Sequence, residues 1–154
     1  MIKLYTDGSS RGNPGPGGYA AILTHAGREK VLVGGYRHTT NNRMELLAVI
    51  IGLEALKGAP HRVEVYTDSR YVVNPIQKGW LAKWRAVDFK KKKNSDLWRR
   101  FMRVYAQHDV TMRWVQGHAG HAMNERCDTL AFNRALKGPW QVDEIYMGEH
   151  GADR

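Results

Sequence analysis

The chain opens with residues that alternate. Residues 2–7, IKLYTD, switch between apolar and polar side chains and run into the glycine-rich stretch GSSRGNPGPGG, which predicts a first strand ending in turns. YAAILT and EKVLVGGYRH are two further β-rich runs separated by HAGR, so residues 1–38 read as a three-stranded antiparallel meander. The period then changes to a helical one over residues 42–57, which stop near Gly58 and Pro60. RVEVYTD is a fourth strand and VTMRWV, from Val110, a fifth; between them SRYVVNPIQ, GWLAKW and SDLWRRFMRVYAQ read as helical, and a last helix covers residues 124–136. Strands four and five follow helical crossovers long enough to lie parallel to strand one. The expected fold is α/β, a mixed five-stranded sheet with three antiparallel strands plus two parallel ones, flanked by helices.

Size and charge narrow the function. At 154 residues with 42% hydrophobic content, the chain is about one domain, expected over residues 1–137. Residues 138–154 show no clear helical period and are expected to form a partly mobile tail. No apolar run approaches the roughly 20 residues of a membrane span, and a strand-like segment follows Met1 directly, so the expectation is a cytoplasmic monomer. The one cysteine, Cys127, cannot form an internal disulfide. Lys and Arg outnumber Asp and Glu by 24 to 15, a formal +9, which points to a polyanionic partner.

Four acids carry the candidate chemistry. Strand one ends Leu-Tyr-Thr-Asp at Asp7 and strand four ends Val-Tyr-Thr-Asp at Asp68, so parallel neighbours would send both carboxylates to one sheet face at their carboxyl ends. Asp128 shares a helical face with Ala131, Phe132 and Ala135 and therefore points toward packed structure. Glu45 has two readings, because Asn42 three residues before it makes a capping-box pattern, while its place near the apolar stripe lets it face the ends of strands one and four. Gathered together, the four acids repel one another at neutral pH, and hard cations such as Mg²⁺ or Mn²⁺ relieve that repulsion. Two metals about 4 Å apart can activate a water and stabilise the leaving oxygen of a phosphodiester cleavage.

The motifs YTDGS, GNPGPGGYAAIL, TTNNRMELLA, TDSRYV, GWLAKW, DLW and GHAGHAMNERCD, in this order, resemble type 1 ribonuclease H, bacterial form, over residues 2–137. The resemblance implies the ribonuclease H-like fold and an endonuclease that cuts the RNA strand of RNA/DNA hybrids with Mg²⁺, leaving 3′-hydroxyl and 5′-phosphate ends. The family's metal ligands fall on Asp7, Glu45, Asp68 and Asp128, and its catalytic histidine falls on His118 in the GHAGH motif. By the same resemblance Asn13, Asn41 and Ser69 line the substrate groove, with Thr40 and Asn94 beside a DNA-strand phosphate. Small amides and hydroxyls can meet ribose hydroxyls without adding charge, so sequence preference should be weak.

Trp80 and Trp84 lie one helical turn apart before the basic run FKKKKN, where the family carries a basic protrusion and an aromatic surface against the DNA strand. Three departures stand out: a segment between Trp84 and Asp96 about five residues short, His38 where many members carry arginine, and Ala122 and Met123 in place of an expected Pro-Glu pair. The first is expected to affect affinity, the second to give a weaker or pH-dependent phosphate contact. Competing readings fit less well. A haloacid-dehalogenase phosphatase needs a second Asp where Ser9 stands, no D-x-E motif of the four-acid exonucleases occurs near Asp7, and a transposase core would lack TNNRMEL and GHAGH. A hybrid-binding module without catalysis could shed acids, yet all four are present.

Overall fold

The computed structural model describes residues 1–58, 60–117 and 121–150. Its elements are β1 (Ile2–Ser10), β2 (Gly15–His25), β3 (Arg28–Thr39), α1 (Asn41–Glu54), β4 (Arg62–Thr67), α2 (Arg70–Gln77), α3 (Trp80–Ala86), α4 (Ser95–Tyr105), β5 (Asp109–Trp114), α5 (Ala122–Lys137) and α6 (Glu144–His150). The sheet order is β3-β2-β1-β4-β5. β1 and β3 each pair antiparallel with β2, while β4 pairs parallel with both β1 and β5, the mixed sheet that the strand pattern predicts.

Period-two alternation divides the core between the two faces. Leu4, Val63 and Val65 bury on one side with Leu46, Ile50, Trp98 and Phe101 of α1 and α4. On the other side Tyr5, Ala20 and Ile22 meet Cys127 and Ala131 of α5. Asp7 keeps the phase of Tyr5 and so belongs to the α5 face. The register Tyr5↔Tyr66 sets the ends of β1 and β4 level, which places Asp68 alongside.

Some boundaries differ from those predicted. The glycine-rich stretch is partly strand, since Ser9 pairs with Gly18 and Ser10 with Gly17. Glycine is required there by close approach: a Cβ on Gly18 would strike the backbone of α5 at Ala131 and Ala135, and one on Gly8 the backbone of α1 at Met44 and Glu45. The same tight seat corrects the reading of α5. Cys127, Ala131 and Ala135, spaced by four, form its buried ridge, whereas Phe132 turns outward at 48% exposure. The segment after Lys137 is also more structured than its pattern implied. Gln141 bridges to Tyr36 of β3 and exchanges backbone hydrogen bonds with Gly35 and Arg37, and α6 then buries Tyr146.

Candidate active site

Glu45 does not cap its helix. Thr40 is the N-cap of α1, its hydroxyl accepting from the Arg43 amide at 3.2 Å, and the helix starts one residue earlier than predicted. Glu45 instead accepts a 2.7 Å hydrogen bond from the backbone N–H of Gly8 in β1. That contact needs α1 to lie directly on β1, which the missing side chain of Gly8 permits. One carboxylate oxygen each from Asp7, Glu45 and Asp68 lies within 4.8 Å of the other two. Asp128 approaches Asp7 from α5 through a side-chain hydrogen bond.

Burial and mutual repulsion shape the electrostatics of this cluster. Asp7 is pushed up to about 8, chiefly by burial, then by the hydrogen bond with Asp128 and the charge of Asp68. Glu45 is held well above the ordinary carboxylate range, first by burial and then by Asp7 and Asp68, with only the Gly8 amide pulling the other way. Among the described residues no arginine or lysine forms an ion pair with Asp7, Glu45 or Asp128. Buried carboxylates without a protein cation are costly, and an all-oxygen donor set of this kind suits a hard divalent ion. The residues present therefore fit Mg²⁺ or Mn²⁺.

Neighbouring groups fix the frame. Asn124, at the start of α5, donates through Nδ2 to the carbonyl of Tyr66 at 3.0 Å and to that of Thr6 at 3.5 Å, tying together the strand ends that precede Asp68 and Asp7. The Trp114 indole donates to the Asp68 carbonyl at 3.1 Å, with the Arg70 guanidinium stacked 4.0 Å over its ring. Gln116, Gly117, His121 and Glu125 complete the cleft around Asp7, Asp68 and Asp128. His121 packs its ring on Tyr5 and Tyr66. His118 lies outside the described residues. Asn124, Gln116 and Glu125 were not singled out from the sequence; the NERCD run does show Asn124 and Glu125 within one turn of Asp128.

The expected substrate residues fall into two sets. Asn13, Thr40 and Asn94 line one groove together with Lys91, Lys92 and Lys93. Asn13 Oδ1 accepts from the Asn41 amide at 3.0 Å, so the turn before β2 and the start of α1 form one surface. Asn94 is fixed from both ends, its Oδ1 accepting from Arg43 at 3.2 Å and its Nδ2 donating to the Tyr71 hydroxyl at 2.9 Å. Arg43 was missed, although an arginine in a helix this apolar is a visible signal. Ser69 sits beside Asp68 and caps α2 by accepting from the Val72 amide at 3.3 Å.

The aromatic pair forms the second set. Trp80 and Trp84 have ring centroids 6.3 Å apart, with Trp80 39% exposed and Trp84 turned inward edge-on to Trp98. Lys78 and Lys92 lie over the two rings at 5.2 and 4.4 Å. His38 packs against Tyr146 of α6, which lines the same groove, and its buried Nε2 has no hydrogen-bond partner among the described residues.

Comparison with known proteins agrees with this geometry. Residues 1–136 match the family model described as RNase H. A ribonuclease H of Desulforamulus reducens is 54% identical over 147 residues, covering 92% of each chain. The crystal structure of LC9-RNase H1, described as a type 1 RNase H with the type 2 active-site motif, superposes with a TM-score of 0.78 at 35% identity, over 88% of this chain and 72% of that one. LC11-RNase H1, solved in complex with an RNA/DNA hybrid, gives 0.68 at 26% identity over 89% of this chain and all of that one. The chain belongs to the ribonuclease H family, in its type 1 bacterial form.

Proposed function

We propose that the chain is an endonuclease that hydrolyses the RNA strand of RNA/DNA hybrids, leaving 3′-hydroxyl and 5′-phosphate ends with little sequence preference. The observation that carries the reading is the convergence of the Asp7, Glu45 and Asp68 carboxylates to within 4.8 Å, in a chain of this family. A hybrid on the related LC11-RNase H1 supports the substrate class.

Asp7, Glu45, Asp68 and Asp128 would hold two magnesium ions. Bound there, the ions supply Lewis acidity that promotes ionisation of the attacking water and offsets charge on the leaving oxygen. The chain's own residues position and bind. The Gly8 amide fixes Glu45, and Asn124 locks the ends of β1 and β4. His118 takes the role of proton carrier near the attacking water, and Asn13, Asn41, Ser69, Thr40 and Asn94 hold the two strands, with Trp80 and Trp84 against the DNA. Attack at phosphorus breaks the bond to the 3′ oxygen, and the water's proton leaves as that oxygen gains one. The enzyme works as a monomer in the cytoplasm.

The test uses an RNA labelled at one end and paired with DNA, paired with RNA, or left single, with Mg²⁺ or EDTA. Metal-dependent internal cuts confined to the hybrid, and lost in Asp7→Asn, are the expected result. An intact hybrid that binds tightly and with strong salt dependence would overturn the enzymatic reading in favour of a binding module.

A further inference from the structure

Asn94 opens α4 in a conformation that carries a cost. Its backbone is left-handed, with φ of 60°, and as the N-cap of the helix it makes no side-chain cap hydrogen bond. Asparagine at such a position ordinarily accepts from the first helical amides. Here the side chain is spent elsewhere: Oδ1 accepts from Arg43 Nη1 at 3.2 Å, and Nδ2 donates to the Tyr71 hydroxyl at 2.9 Å. A strained backbone with its capping bond forgone points to a side chain whose direction serves another purpose.

The polarity of that amide follows from its partners. A guanidinium can only donate, so the atom facing Arg43 is the oxygen. The Tyr71 hydroxyl also receives the Trp98 indole N–H at 3.0 Å, and an indole nitrogen can only donate, so this one hydroxyl accepts from both neighbours. One hydrogen of Nδ2 is used in this way, and among the described residues the other meets no acceptor. Asn94 lines the groove shared by Lys91, Lys92 and Lys93. Tyr71 lies near the start of α2, just past Asp68, so one helix start carries both a carboxylate of the cluster and the hydroxyl that holds Asn94.

We propose that Tyr71 is a positioning residue for the duplex: together with Arg43 it turns the Asn94 amide so that the spare N–H is presented to the groove, where it donates to a phosphate oxygen of the DNA strand. The inference rests on the reading of this groove as the hybrid site. The lysines supply attraction with little direction, whereas a fixed amide hydrogen selects one phosphate at one place. Losing the Tyr71 hydroxyl frees the amide to swing and weakens ground state and transition state alike, which raises KM and leaves kcat unchanged.

The experiment is a double-mutant cycle of Tyr71→Phe and Asn94→Ala. Val104→Ala, a core truncation at the far end of α4, controls for lost stability. Each variant is read by thermal melting, by steady-state cleavage of a hybrid, and by hybrid Kd in EDTA across a salt series. Tyr71→Phe should raise KM and Kd about five-fold with kcat unchanged, the size of one hydrogen bond. Its salt slope should match that of the parent, because no cation is lost. Asn94→Ala should raise KM and Kd at least as much, and the double variant should bind no more weakly than Asn94→Ala alone. Val104→Ala should melt lower and keep the parent's KM. Additive losses in the double variant, an unchanged KM in Tyr71→Phe, or an equal rise in Val104→Ala overturns the proposal. If Asn94→Ala binds as the parent does, the reading of the groove fails and the proposal with it. A parent that binds the hybrid and does not cut it overturns the enzymatic reading alone, and the Kd cycle still decides the role of Tyr71.

Discussion

At Asp7 the cost of gathering carboxylates is concentrated in one side chain. Burial, Asp128 and Asp68 raise its pKa from 3.8 to about 8, so between those values the metal-free folded chain holds a proton that the unfolded chain has released. With more protons bound to the native state, unfolding free energy falls as pH rises, and the penalty is complete above about pH 8. Glu45 shifts in the same direction for the same first cause. A divalent cation replaces the proton and reverses the trend. In EDTA at pH 8, Asp7→Asn should therefore melt above the parent by about 2–4 °C for each kcal/mol relieved, and the gap should narrow toward pH 5. Thermal unfolding at the two pH values checks it. A gap independent of pH would show that Asp7 ionises in the folded chain without cost.

Among the elements, the β2–β3 hairpin turns through Ala26 and Gly27, with φ of 50° and 77°, between the paired residues His25 and Arg28. Two positive φ values in a two-residue loop define a turn that favours asparagine before glycine, and alanine at the first position is strained. Ala26→Asn should stabilise the protein by about 0.5–1 kcal/mol, read as a higher urea midpoint with an unchanged slope. A lower midpoint would mean that the turn gains nothing from relief at this position. This hairpin also shows what a sequence can carry. HAGR between two β-rich runs announced the turn, the helical crossovers announced the parallel strands, and the matching Tyr-Thr-Asp endings then put Asp7 and Asp68 in one pleat phase, because these signals are local patterns joined by topology. The N-cap of α1 was misread because Asn42 and Glu45 satisfy a local pattern. The Gly8 amide that claims Glu45 arrives from another strand. Phe132 was misplaced for a related reason: hydrophobicity suggested burial, and only contact with Gly18 shows that α5 seats its small residues. Arg43 and Asn124 went unread as site residues because their partners are Asp96, Asp143, Tyr66 and Thr6, distant along the chain.

On the scale of the whole molecule, Arg43 joins parts that the sequence keeps far apart. It is 1% exposed, makes a two-pronged pair with Asp96 at 2.9 and 2.8 Å, bonds Asp143 at 3.0 Å and holds Asn94 at 3.2 Å. Asp96 opens α4, Asp143 precedes α6, and Asn94 lines the lysine-rich groove, so one guanidinium links the start of α1 to the core helices, that groove and α6. The charges of Asp96 and Asp143 hold the Arg43 pKa up against the burial that would lower it, and Arg43 in turn keeps Asp96 below its usual range despite burial. Taking away the cation leaves two carboxylates in a partly buried site without their partner, which costs more than the pair contributes when intact. Arg43→Met should lose about 3 kcal/mol of stability in urea unfolding. Because α6 and the α4 cap lean on the same group, amide exchange should quicken together over residues 94–98 and 141–147, while the core of α5 changes only by the global loss. Adding Asp96→Asn and Asp143→Asn to Arg43→Met should recover part of the stability, since neutral amides remove the uncompensated charge. If the triple variant is no more stable than the single one, then Arg43 acts by packing on Tyr146 and filling volume, and the charge network contributes little.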